Sequence, residues 1–207
     1  MKRNLITGGA GFIGSHLAEA LAAQGECVTA VDNLSTGRLE NVAGLMGHSC
    51  FRFVHETVYN ELVMDRLVSE CDVIYHLAAV VGVDLVVSDP VNTIETNLNG
   101  TDIVLRLARR YHKPVLIAST SEVYGKSNAI PFREDGDRVM GPTTKSRWCY
   151  AESKAMDEFL ALAYHNQFQV PVVICRFFNT VGPRQTGRYG MVIPRLCKQA
   201  VSGRPLT

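Results

Sequence analysis

The stretch Thr7-Gly8-Gly9-Ala10-Gly11-Phe12-Ile13-Gly14 constrains this chain more than any other. A short apolar run over 4–7 feeds a glycine-rich turn, and 12–23 then reads as a helix. Gly9, Gly11 and Gly14 fit G-x-G-x-x-G; Gly8, Gly11 and Gly14 fit the related T-G-x-x-G-x-x-G. Such a turn needs backbone angles that a side chain opposes, a main chain close to a pyrophosphate, and a helix tight on its strand. The helix start then offers free N–H groups and a positive dipole end to phosphates. Glycine turns also cap strands that hold no ligand. Here a second strand pattern ends in Asp32, where a ribose-binding acid belongs, ~20 residues on. Asp32 accepts from ribose hydroxyls and repels a 2′-phosphate, which favours NAD over NADP; Arg38 pulls slightly the other way.

Strand patterns recur at 4–7, 27–31, 51–54, 73–77, 115–119 and 172–176, and helical patterns at 12–23, 60–68, 91–111, 150–167 and 191–201. Alternating strands and helices with near-continuous apolar strands imply an α/β fold: a doubly wound parallel sheet of the Rossmann kind, with ligands at the strands' C-terminal ends. Residues 1–178 read as the dinucleotide-binding domain. Residues 179–207 read as the start of a smaller substrate lobe that is cut short.

With 207 residues, 46% of them hydrophobic, the chain has enough apolar material for a full core. Its formal net charge of +1 gives no reason to expect nucleic acid or a membrane surface as partner. No apolar run is long enough to span a membrane and the first strand leaves no room for a signal peptide, so a cytoplasmic location is expected. Six cysteines without a C-x-x-C pair read as structural, and no metal is expected. His76 reads as a packed core histidine.

Two neighbouring features carry chemistry. In Tyr150-Ala151-Glu152-Ser153-Lys154, tyrosine and lysine share a helix face, and an ammonium near a phenol favours the phenolate, a usable base. In Ser119-Thr120-Ser121-Glu122, at the end of the fifth strand, Thr120 is placed to hold a reacting hydroxyl, and strand alternation turns Glu122 the same way. Alternatively, the hydroxyls cap the local backbone and Glu122 is a solvated charge. A long loop over 124–147 separates the two features and reads as functional or disordered.

T-G-G-A-G-F-I-G-S-H-L, H-L-A-A, S-T-S-E-V-Y-G, Y-A-E-S-K and R-F-F-N-T-V-G-P-R, in that order, resemble the extended short-chain dehydrogenase/reductases, the NAD-dependent nucleotide-sugar epimerases and dehydratases. The resemblance implies NAD as cofactor, a nucleotide sugar (UDP-linked) as substrate, and a homodimer through the helices containing 98–109 and 150–164. It implies a catalytic set of Thr120, Ser121, Glu122, Tyr150 and Lys154. Tyr150 takes the C4 hydroxyl proton while hydride passes to NAD, Lys154 holds the nicotinamide ribose, and Thr120 bonds the C4 oxygen. The implied cofactor contacts are Gly8, Gly11, Phe12, Ile13, Gly14, Asp32, Asn33, Leu77, Ala78, Ala79, Asn97, Tyr150 and Lys154. Those to substrate are Val81, Thr120, Asn179, Arg184 and Arg188.

By the same resemblance, Thr-Ser-Glu stands at 120–122 in UDP-glucuronate decarboxylases and in GDP-mannose dehydratases; Asp32 argues against the latter, which resemble NADP enzymes, and a C4 ketone would ease loss of a C5 carboxylate. Segment 78–84 looks more like UDP-glucose or UDP-glucuronate 4-epimerases and 4,6-dehydratases. Family members carry roughly another hundred residues, the size of a small lobe. An NAD-binding fragment or module without turnover therefore stays open as a third reading.

Overall fold

Strands that are apolar along their whole length need cover on both faces, and the fold supplies it by winding helices around one parallel sheet. The computed structural model describes residues 1–128, 130–187 and 191–207. The strands are β1 (Arg3–Thr7), β2 (Cys27–Asp32), β3 (Phe51–His55), β4 (Val73–His76), β5 (Val115–Thr120) and β6 (Val172–Phe177). Between and after them come α1 (Phe12–Ala23), α2 (Glu61–Glu70), α3 (Val83–Ser88), α4 (Pro90–Tyr111), α5 (Trp148–Phe168) and α6 (Val192–Val201).

The sheet order is β3-β2-β1-β4-β5-β6, and every pairing is parallel. The chain runs outward from β1 to β3, then returns to lay β4 on the other side of β1. The order therefore reverses between β1 and β4, where an open α/β sheet leaves a crevice beyond its C-terminal strand ends. Thr7, Asp32, His76 and Thr120 are the last residues of their strands at that edge.

Side chains alternate across the sheet, and β1 shows it. Leu5 enters one core with Met64 of α2, Ile74, Leu105 of α4, Ile117 and Ala161 of α5. Ile6 enters the other with Ala18 and Leu21 of α1, Val28 and Leu45. Helix α4 starts where Asp89 accepts a bond from the Asn92 amide (3.3 Å) and Pro90 takes the first turn, which needs no N–H there. Helix α6 buries none of its residues.

All six strand patterns and all five helical ones correspond to elements, with ends shifted by a few residues. Three short elements were not expected. Helix α3 is only six residues and shows no full helical period, and 3₁₀ turns form at Leu39–Leu45 and Ser121–Tyr124. Leu77, expected within the fourth strand, lies just past it. Among the described residues no helix is long and apolar enough to cross a membrane.

Candidate active site

The glycine turn is clipped to β2: the amides of Gly8 and Gly9 both donate to the Val31 carbonyl, at 2.9 and 3.3 Å. Gly8 has φ +70°, and a Cβ there would come within 2.9 Å of the Ala78 amide nitrogen. A Cβ on Gly14 would lie 2.9 Å from the Gly9 Cα and closer still to the Gly8 carbonyl. The α1 start carries no side-chain cap and no acid in its first turn, which leaves its N–H end for an anion. Phe12 and Ile13 are half-buried there, as are Leu77, Ala78 and Ala79 along the facing loop.

Asp32 closes the turn from below. One carboxylate oxygen accepts from the Ala10 amide (3.0 Å) and the other from Leu34 (2.8 Å), while burial pushes its pKa up. Each oxygen keeps a lone pair for a ribose hydroxyl. A Cβ on Gly37 would approach the carboxylate to 2.8 Å, so this loop also needs glycine. A glycine cradle, an uncapped helix start and a buried acid one strand over fit a dinucleotide. Asn33 sits at the rim, its side chain accepting from Ser35.

Across the switch point, Tyr150 of α5 is 9% exposed and lies near enough to Thr120 for that hydroxyl to act on the phenol. The expected low phenol pKa is overturned. Burial first, then the charge of Glu122, push Tyr150 up to about 12, and only Thr120 pulls it down. Lys154 does not offset this: its Nζ sits 2.7 Å from an Asp157 carboxylate oxygen, with both side chains almost wholly inside the protein. The ammonium is neutralised by Asp157 rather than offered to the phenol. The other Asp157 oxygen, Oδ1, is buried without a partner. Asp157 was missed in sequence, although its spacing from Lys154 shares a helix face as well as Tyr150's does.

Glu122 also departs from expectation. It is not on the strand: β5 ends at Thr120, whose hydroxyl accepts from the Glu122 amide (3.2 Å) and caps the turn that follows. Glu122 nevertheless reaches the site. It is half-buried, burial raises its pKa against the pull of Arg147, and its charge acts on Tyr150. Ser121 is half-buried beside it.

A second buried pair was also missed. Arg176 of β6 grips Glu158 of α5 with two bonds, at 2.9 and 2.7 Å, and Ser119 donates to the same carboxylate. The Arg176 guanidinium also lies over the Tyr124 ring, 4.7 Å from its centroid. The 124–147 loop is pinned on this side: Phe132 stacks on Tyr124 at 4.7 Å, and Arg138 donates to the Val123 carbonyl.

The remaining expected site residues are placed as follows. Asn97 is buried with both ends of its amide engaged: Oδ1 accepts from Val80 (2.9 Å) and Nδ2 donates to Ser153 (3.1 Å). It ties the loop after β4 to α5. Arg184 is held on α1 by Ser15, His16 and Glu19, away from Tyr150. Val81 and Asn179 are exposed. Arg188 lies outside the described residues.

His76 is the packed histidine expected. It is 1% exposed between the hydroxyls of Thr7 (2.8 Å) and Thr101 (3.3 Å), and burial together with Lys154 drives its pKa down to about 3. The unfolded imidazole binds a proton near 6.5, so below that pH the unfolded state holds more protons and is favoured. Stability is therefore expected to be full above pH 6.5 and to fall progressively as pH drops towards 3. In urea unfolding across this range, His76→Gln should flatten the dependence.

The chain matches the family model described as NAD dependent epimerase/dehydratase family over residues 4–207. It is 46% identical to a UDP-N-acetyl-alpha-D-glucosaminuronate decarboxylase of Bacillus cytotoxicus, over 99% of this chain and 63% of the relative. It is 42% identical to UDP-glucuronic acid decarboxylase 1 of Xenopus tropicalis, over 100% of this chain and 48% of the relative. The chain thus spans about half to two thirds of the length of these relatives. Among solved structures it is similar to the UDP-glucuronic acid 4-epimerase of Bacillus cereus in complex with UDP-glucuronic acid and NAD. That match has a TM-score of 0.87 and 32% identity, and covers 99% of this chain and 64% of the other.

Proposed function

We propose, on the premise that this chain belongs to the NAD dependent epimerase/dehydratase family, that it carries the catalytic half of a UDP-uronate decarboxylase. The observation that carries the reading is the burial of Tyr150 and Thr120 at the strand ends, with Thr120 and the half-buried Glu122 both acting on the phenol. The glycine turn, the α1 start and Asp32 would hold the cofactor. NAD bound there supplies a hydride acceptor that can later return the hydride.

Tyr150 takes the proton of the sugar C4 hydroxyl, and Thr120 holds that oxygen. The C4 ketone then acidifies C5 and weakens the bond to a C5 carboxylate. Once carbon dioxide leaves, C5 needs a proton. Glu122 is suited to supply it, because burial keeps its carboxyl protonated to higher pH than an exposed glutamate. Lys154 is assigned to the nicotinamide ribose, with Asp157 fixing the ammonium. Residues 179–207 are assigned to the start of the substrate lobe.

The test is turnover of UDP-glucuronate in D₂O. One solvent deuterium at C5 of a decarboxylated product is expected, and Glu122→Gln should slow its appearance by about 100-fold. A product that keeps its carboxylate and its original C5 hydrogen contradicts the reading and favours epimerisation.

A homodimer through α4 and α5 goes with this reading. Ile94, Met156, Phe159 and Leu162 are large apolar side chains left exposed on those helices. Sedimentation velocity is expected to give a dimer mass, and Phe159→Glu a monomer. We also place the protein in the cytoplasm, where its six free cysteines would stay reduced.

A further inference from the structure

At the opposite edge of the sheet, three sulfur atoms from three parts of the chain meet. Cys27 opens β2 and Cys50 immediately precedes β3. The parallel register pairs Val28 with Phe51, and the Val28 amide donates to the Cys50 carbonyl at 2.8 Å, so the two cysteines are cross-strand neighbours. Both thiols reach the Met1 thioether, with Sγ–Sδ distances of 3.1 Å from Cys27 and 3.2 Å from Cys50. Both cysteines are half-buried and line an open cavity of about 320 Å³, and Met1 is exposed beside them.

We propose that Cys27, Cys50 and Met1 form a three-sulfur site for a soft monovalent cation, Cu(I). Two thiolates and a thioether are the donor set that soft cations take. Hard oxygen donors are withheld at this edge: Asp72 is held by Arg3 at 2.7 Å, and Glu70 by Arg52 at 3.1 Å. Among the described residues no three His, Cys, Asp or Glu side chains converge, so the third donor is the thioether. Binding forms three Cu–S bonds, releases two thiol protons to solvent and changes no oxidation state. Two thiolates and one cation leave a net charge of −1, beside the Arg3 and Arg52 guanidiniums that line the cavity. The ligands tie the N-terminus to β2 and to the edge strand β3, at the end of the sheet remote from Tyr150. Occupancy should therefore raise the melting temperature and leave NAD binding unchanged.

The test is anaerobic titration of the protein with Cu(I) against a chromophoric Cu(I) chelator, with X-ray absorption on the product. One Cu(I) per chain with three sulfur scatterers is expected. Cys27→Ser with Cys50→Ser should weaken binding by at least ~100-fold, more than a change outside the ligands costs. Replacing the exposed Cys197 with serine should change nothing. Equal affinity in the double variant, or copper held by nitrogen or oxygen, overturns the site. Should the double variant fail to fold, the wild-type absorption spectrum decides, and fewer than three sulfurs overturns it. Neither result depends on turnover.

Discussion

Tyr150→Phe is expected to lower turnover by about 10²- to 10⁴-fold, the range that a positioned acid–base group contributes, while NAD binding is retained. Phenylalanine fills the same space in a site where Tyr150 is 9% exposed. The loss is then the hydroxyl alone. The glycine turn and Asp32 make no bond to that hydroxyl, so a dinucleotide titration followed by fluorescence should be unaltered. The phenol sits at about 12 because of its burial and then the charge of Glu122, and Lys154, paired with Asp157, does not offset them. The wild-type rate should therefore climb with pH while the protein stays folded, since the base form is scarce at neutrality. Turnover of Tyr150→Phe at the wild-type rate would remove Tyr150 from the chemistry.

Arg176→Met is expected to cost about 3–5 kcal/mol of stability, the penalty for breaking a buried ion pair. Arg176 and Glu158 are only 16% and 10% exposed, and the carboxylate holds both guanidinium bonds and the Ser119 hydroxyl. Removing the arginine leaves a buried charge with one neutral donor. That is a large part of the ~5–15 kcal/mol typical of a folded domain. Replacing both partners with apolar residues should restore most of the loss, since no charge is then stranded. The pair joins β6 to α5 and holds Ser119, the neighbour of Thr120, so the single variant should also disturb the placing of Thr120 beside Tyr150. Urea unfolding of the two single variants and the double variant reads the coupling directly. A loss below about 1 kcal/mol would put the pair in the class of surface bridges.

The sheet was legible because its strands are apolar from end to end and its glycine turn needs a strand before it and a helix after it. The Tyr150–Thr120 pair was legible for a similar reason: both residues stand at the ligand edge of elements that a sequence pattern can place. The charge on Lys154 was not. Residues at spacings of three and four share a helix face, so Tyr150 and Asp157 were equally eligible partners. Burial favours the carboxylate, because an ammonium removed from water is compensated better by an opposite charge than by a neutral phenol. Glu122 was misplaced because strand alternation was carried one step past Thr120, whose side chain ends the strand by capping the next turn. Asn97 and Arg184 fell where motif positions put them along the chain, yet their polar groups are engaged by α5, the β4 loop and α1. The sulfur cluster left no motif, because Cys27 and Cys50 meet only through the register of β2 on β3.

If this site removes a carboxylate after oxidising C4, as proposed, the product mass after incubation with NAD and UDP-glucuronate shows it most directly. A product lighter by one carbon dioxide is expected. A product of unchanged mass with an inverted C4 centre would contradict it and return Glu122 to a structural role.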